Sequence, residues 1–178
     1  MNNQNIVQVV SSDAASIILK SLSESGTHLI AEKAAGFLIP GDVISLDGDL
    51  GAGKTSFTRG LAIALGCESS ITSPTFTLMI EHETKRGKMK LYHFDAYRLE
   101  DSVSFADAGL DEFFDRDDIC VIEWGNLIED ILPDRTIIIH ILRSRPDNEC
   151  ERFIHISWPK EDDHRFGLLK KSLLEDVV

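Results

Sequence analysis

The run Gly48-Asp49-Leu50-Gly51-Ala52-Gly53-Lys54-Thr55 is a complete G-x-x-x-x-G-K-[ST] phosphate-binding loop. Gly51 and Gly53 let the backbone approach an anion closely, so that successive N–H groups curl around a phosphate. Lys54 can reach the β and γ oxygens, and the Thr55 hydroxyl can ligate Mg²⁺. The flanking sequence weighs against a chance glycine-rich turn. Val43-Ile44-Ser45-Leu46, bounded by Pro40-Gly41, reads as a buried strand, and Phe57, Leu61 and Leu65 recur at helical spacing up to Gly66. Strand, glycine loop and helix in that order predict a nucleoside triphosphate site. Its binding residues are Asp49, Gly51, Ala52, Gly53, Lys54, Thr55 and Ser56.

A phosphate loop alone hydrolyses nothing. It needs an acid at the end of a neighbouring strand to hold Mg²⁺, directly or through water, and a group to position the attacking water. Asp95 ends the run Leu91-Tyr92-His93-Phe94, and Glu123 ends Cys120-Val121-Ile122. In isolation either acid reads as a cap or a salt-bridge partner. Downstream of a phosphate loop both read as functional, Glu123 ahead of Asp95. Trp124 reads equally as a contact at the nucleotide or as core packing. Ser73-Pro74-Thr75-Phe76-Thr77 stands where small NTPases keep a switch segment, a plain turn being the alternative. His93, His140 and His155 read as structural imidazoles, and no histidine is assigned to catalysis.

The elements that must position these groups alternate between strand and helix patterns. Ser16–Leu22 reads as a first strand, followed by a helix from a Ser23 cap to Leu38. Leu78–His82 and Met89–Phe94 read as strands joined through Gly87, Ser102–Asp115 as partly helical, and Ile119–Trp124 as a buried strand. A short helix is expected from Gly125 to Leu132. Thr136–Leu142 and Arg152–Trp158 read as an antiparallel pair added to the sheet, and Phe166–Val178 as a last amphipathic helix. The class is α/β, with central parallel strands and antiparallel additions, and the site is expected at the carboxyl ends of the parallel strands.

With 178 residues the chain is most simply one domain. A formal net charge of −12 argues against binding nucleic acid by phosphate neutralisation. The basic cluster Lys85, Arg86, Lys88 and Lys90 reads as a solvated hairpin end. Cys67, Cys120 and Cys150 match no metal or redox spacing and point to reduced thiols in the cytoplasm. No leader or membrane-spanning stretch is expected.

Several blocks together resemble the bacterial TsaE family, ATPases needed for the threonylcarbamoyl modification of adenosine in tRNA. The matching residues are Gly48 to Leu61, then Ser73-Pro74-Thr75-Phe76-Thr77-Leu78, and then Tyr92-His93-Phe94-Asp95-Ala96-Tyr97-Arg98-Leu99. Gly109-Leu110-Asp111-Glu112-Phe113-Phe114 and Ile122-Glu123-Trp124 follow in order. The likeness spans about residues 16 to 158, leaving 1–15 and 159–178 outside it. It implies a P-loop NTPase-like three-layer sandwich that uses ATP and Mg²⁺. By the same resemblance Thr55 and Glu123 would hold the metal, Lys54, Asp95 and Trp124 would sit near the γ-phosphate, and Thr27 would lie near the adenine. The implied partners are the transferase subunit and its paralogue (TsaD and TsaB type), which would stimulate hydrolysis and hold the tRNA, allowing multiple turnovers on tRNAs that read codons starting with adenine. Ala96 and Gly125 depart from the family pattern, which has a bulkier residue and Pro or Ala there.

Two other readings share the phosphate loop. A small-molecule kinase would use Arg143, Arg145 and Arg152 as a lid, although no acceptor pocket is visible. A non-hydrolysing, nucleotide-sensing adaptor would bind ATP and only change shape.

Overall fold

A computed structural model describes residues 6–68, 71–87, 89–99, 101–145, 148–159 and 163–175. Eight strands form one sheet: β1 (Val7–Ser12), β2 (Ser16–Ser21), β3 (Val43–Asp47), β4 (Met79–Glu83), β5 (Lys90–Asp95), β6 (Ile119–Glu123), β7 (Ile137–Arg145) and β8 (Asn148–Ser157). Their spatial order is β1-β2-β8-β7-β3-β6-β5-β4. The four central strands β7, β3, β6 and β5 run parallel, and the outer pairings are antiparallel. β7 and β8 form the expected antiparallel pair, which joins the sheet through β7. β7 is itself a member of the parallel core, and only β8 reverses.

Period-two alternation sends successive side chains of each strand to opposite faces. In β3, Ile44 and Leu46 join one apolar cluster and Val43 joins the other; in β6, Ile119 and Val121 take the first and Cys120 and Ile122 the second. The first cluster is covered by α1 (Glu24–Ala35), α2 (Lys54–Leu65) and α4 (Asp163–Glu175) through residues such as Ile30, Phe57 and Phe166. The second is covered by α3 (Ser102–Asp107) and by 3₁₀ segments at Asp111–Asp115 and Gly125–Ile131. Helical matter on both faces of a mixed sheet is the three-layer α/β arrangement that the sequence predicts.

Several boundaries differ from the sequence reading. β1 has no counterpart there: its exposed side chains break any apolar alternation, and it exists because its backbone pairs with β2 across a register shift after Val9. α1 has the predicted Ser23 cap, whose side chain accepts from the Gly26 N–H, but ends at Ala35 rather than near Leu38. The stretch after Gly125 is 3₁₀ and kinked at Ile128. α4 begins earlier, at Asp163, and Arg165 ties it to the core through a two-pronged bond to the buried Asp42, at 2.6 and 3.0 Å.

The basic hairpin end is neutralised locally. Lys90 pairs with Glu81 and Glu83, Lys85 pairs with Glu68, and the Arg86 guanidinium donates to the Ala35 carbonyl. Lys88 and the side chain of Arg145 lie outside the described residues. Among the described residues no helix is long and apolar enough to cross a membrane.

Candidate functional site

The phosphate loop leaves β3 and becomes α2 at Lys54. Gly53, the helix N-cap, has φ +112°, a left-handed conformation open to glycine at little cost, which turns the following N–H groups toward one point. The loop lies at the carboxyl ends of the parallel strands, where three acids end β3, β5 and β6: Asp47, Asp95 and Glu123. The pleat separates them. Asp95 and Glu123 share a parity with Leu91 and Val121 and so face α2, whereas Asp47 shares a parity with Val43 and faces the other layer. There Asp47 is used structurally, accepting from the Asn126 N–H at 2.9 Å and the Ser45 hydroxyl at 3.1 Å.

The two remaining acids reach the loop. The Thr55 hydroxyl donates to Glu123 Oε2 at 3.0 Å, joining the first turn of α2 to the end of β6. Asp95 Oδ2 accepts from the Ser73 and Thr75 hydroxyls at 2.7 and 2.6 Å, and its Oδ1 accepts from the Tyr97 N–H at 3.0 Å. The Ser-Pro-Thr segment is therefore fastened to the site by one carboxylate. These groups line a cleft of about 390 Å³ with Leu50, Gly51, Gly53, Lys54, Ser56 and Trp124.

Lys54 is almost fully buried and donates to the carbonyls of Gly48 and Asp49, at 2.6 and 3.0 Å. Burial lowers the pKa of its ammonium, with Glu123, Asp95, Asp47 and Asp49 pulling the other way. Its Nζ also stands 3.6 Å from the centroid of the Trp124 ring, which in turn packs on Tyr97. Trp124 is held in a left-handed conformation, φ +64°, by its N–H bond to the Leu46 carbonyl and the 3₁₀ turn that follows. Trp124 thus lines the cleft and is packed there against Tyr97.

Ser56 and Thr27 belong to an adjoining cavity of about 250 Å³, shared with Gly53, Glu24, Cys150 and Arg152. The Ser56 hydroxyl donates to Glu24 and lies 3.0 Å from His28 Nε2. Thr27 is buried and bonded to the Ser21 hydroxyl. Asp49 lies exposed at the loop's outer edge, and Ala52 is buried beneath it.

The geometry also recruits residues that local pattern left out. His93, fully buried on β5, places Nε2 2.9 Å from Glu123 Oε1. Arg143 and Arg152, from the β7–β8 hairpin, donate to the outward carbonyls of Leu50 and Gly51 and of Gly51 and Ala52. Both arginines are tied to the backbone of the loop, and Arg152 also lines the cavity shared by Thr27 and Ser56.

A family model described as "Threonylcarbamoyl adenosine biosynthesis protein TsaE" matches residues 21–154. The chain belongs to the TsaE family. A TsaE relative from Bacillus subtilis is 44% identical over 128 residues, covering 72% of this chain and 78% of the relative. A second, from Treponema pallidum, is 45% identical over 101 residues, or 57% of this chain and 73% of its own length. The crystal structure of Bacillus subtilis YdiB superposes with a TM-score of 0.68 at 36% identity, covering 93% of this chain and 98% of that one. The TsaE family works in tRNA threonylcarbamoyladenosine biosynthesis, and the P-loop NTPase-like fold agrees with that assignment. The family model's match ends at residue 154, ahead of α4. One departure from the TsaE pattern has a structural reason: a Cβ on Gly125 would collide with the Ser45 Oγ, so the Ser45 side chain fills the space that a larger residue would need.

Proposed function

We propose that this chain binds ATP with Mg²⁺ and hydrolyses it in the cytoplasm, as the energy-using subunit of the tRNA-modifying assembly. The observation that carries the reading is the 3.0 Å bond between Thr55 and Glu123. It joins a loop hydroxyl and a strand-end carboxylate, the hard oxygen pair from which P-loop enzymes build a Mg²⁺ site. The donor set fits the ion: a hydroxyl and a carboxylate, both from residues that line the cleft beside the loop. Mg²⁺ bound there would neutralise charge on the β and γ oxygens. Lys54 would exchange the Gly48 and Asp49 carbonyls for phosphate oxygens while staying against Trp124. Asp95, through Ser73 and Thr75, would couple the γ-phosphate region to the Ser-Pro-Thr segment. Thr27 and Ser56 would line the nucleoside side, with Asp49, Gly51, Ala52 and Gly53 around the phosphates.

The rim of the cleft supports action within a complex. Leu50 and Tyr97 line it with 75% and 51% of their surface exposed, and Phe76, next to the lining residue Thr75, is 86% exposed. Apolar side chains at a site mouth mark a surface that a partner covers, and the TsaD and TsaB type pair would supply that cover and the contact with tRNA. Against the kinase alternative, two of the three arginines read as its lid, Arg143 and Arg152, bond to loop carbonyls.

The test is multiple-turnover threonylcarbamoylation of a tRNA that reads a codon starting with adenine, using the transferase pair with and without this chain. Wild type should sustain many rounds and show partner-stimulated ATP consumption. Glu123→Ala should still bind nucleotide but support few rounds. Full multiple-turnover modification by Glu123→Ala would replace this reading with the nucleotide-sensing adaptor.

A further inference from the structure

We propose that His93 is a positioning residue for Glu123: by donating from Nε2–H to Oε1 it fixes the carboxylate so that Oε2 faces Thr55 and the metal position. The inference rests on the nucleotide and Mg²⁺ reading above.

The two carboxylate oxygens are divided between two elements. Oε1 lies 2.9 Å from His93 Nε2, on β5, and Oε2 lies 3.0 Å from the Thr55 hydroxyl, at the start of α2. A glutamate side chain has three soft torsions, and unrestrained it would sweep Oε2 away from the loop. The His93 ring removes that freedom because it cannot itself move: it is wholly buried, one strand over, two residues before Asp95.

The direction of the hydrogen bond follows from the rest of the ring. Nδ1 is buried and has no hydrogen-bond partner among the described residues. A proton there would be a buried donor without an acceptor, whereas a bare lone pair costs less. His82 stands next to it, ring centroids 6.5 Å apart, and burial lowers the His82 pKa. The proton of His93 therefore belongs on Nε2, the nitrogen that faces the carboxylate. Metal sites more often use a carboxylate to orient a ligating histidine. Here the order is reversed, with a histidine orienting the carboxylate.

Two measurements test this, neither of which reads turnover. The first is ADP affinity by calorimetry, in Mg²⁺ and in EDTA, for wild type, Glu123→Ala, His93→Leu and His93→Gln. The ratio of the two affinities is the coupling between metal and nucleotide. Wild type should bind ADP more tightly with Mg²⁺, and Glu123→Ala should lose that advantage. His93→Leu should lose it too, by about ten- to a hundredfold in metal affinity, while keeping its EDTA affinity. His93→Gln, whose amide nitrogen can stand near the place of Nε2, should recover most of it. If wild type and Glu123→Ala show the same ratio, the metal reading fails. If those two behave as expected but His93→Leu keeps the wild-type ratio, the positioning role fails alone. A His93→Leu chain that also loses ADP binding in EDTA, or does not fold, assigns His93 to packing and overturns the proposal unless the second measurement supports it. That measurement is the long-range ¹⁵N–¹H spectrum of the wild-type imidazoles. Protonation of His93 at Nε2 supports the proposal, and an Nδ1–H tautomer overturns it whatever the variants do.

Discussion

Lys54 Nζ stands 3.6 Å from the centroid of the Trp124 ring and donates to the Gly48 carbonyl 2.6 Å away. The Lys54 cation is thus held between a carbonyl, which it would release on the proposed phosphate binding, and an aromatic face that it would keep. The indole gives a desolvated ammonium some of the stabilisation that water would otherwise supply. It also makes Trp124 a reporter of what happens at Lys54.

Adding ADP or ATP should change the tryptophan emission, since phosphate charge would replace the Gly48 and Asp49 carbonyls at the ammonium that sits against the Trp124 ring. Trp158 packs on Phe166 and Arg165 under α4 and should stay silent. Trp158→Phe should retain the nucleotide response and Trp124→Phe should abolish it; the reverse pattern would remove Trp124 from the site.

Lys54→Ala should fold normally and bind ATP about ten- to a hundredfold more weakly, the loss of one charge-assisted contact of roughly 1.5–3 kcal/mol. Calorimetry reads the affinity directly. An unchanged value in a folded variant would withdraw the phosphate-loop assignment.

Arg152→Ala should weaken ADP binding by loosening the phosphate loop, beside any contact it makes from the cavity it shares with Thr27 and Ser56. Its guanidinium holds the Gly51 and Ala52 carbonyls, and freeing them lets the loop leave the conformation that points its N–H groups inward. About a tenfold loss is expected from one charge-assisted anchor, and a smaller one from Arg143→Ala, whose bonds are more exposed. Equal affinities for wild type and both variants would show that the loop needs no such support.

Asp42→Ala should lower stability by about 3–5 kcal/mol, because it leaves the Arg165 charge in a largely buried place. The denaturant midpoint should fall, while ADP affinity in the folded variant stays within twofold or so. Replacing Arg165 by Met in the same chain should recover part of the loss. A midpoint unchanged in Asp42→Ala would mean that α4 is not anchored by this pair.

Two thiols, the half-buried Cys67 and the buried Cys120, set an alkaline limit. Burial raises the Cys67 pKa to about 11, and burial together with the Asp118 charge raises that of Cys120 to about 12, against Arg135 and Arg116. The unfolded thiols ionise first, near 9.0. Their contribution to stability is therefore complete below about pH 9 and is lost as the pH climbs through the folded values. For each thiol the unfolding free energy should fall by up to about 1.4 kcal/mol per pH unit in that window. Cys120→Ala should show a shallower fall than wild type in urea titrations at a series of pH values; identical slopes would contradict it.

Local pattern made the phosphate loop, its strand and its helix legible, because all three are consecutive and each glycine and apolar residue has a local task. Asp95 and Glu123 were legible as strand-end acids for the same reason. β1 was not, because its few apolar side chains carry no pattern and its hydrogen bonds lie on another strand. The antiparallel pairing of β7 with β8 was legible, but the place of β7 in the parallel core beside β3 was not, since parallel and antiparallel neighbours read alike along one strand.

By itself the sequence determined the chemistry on offer: a phosphate loop with its lysine and threonine, two acids placed by strands, and the blocks that mark the TsaE family. Only the tertiary structure decided which groups meet. The pleat turned Asp47 away from the loop and Glu123 toward it. Strand order set His93 of β5 beside Glu123 of β6, and the β8 hairpin carried Arg152 back to Ala52 across 100 residues of chain. Those contacts depend on sheet order and register, which are fixed by the burial of two faces at once and leave no mark in any short stretch of residues.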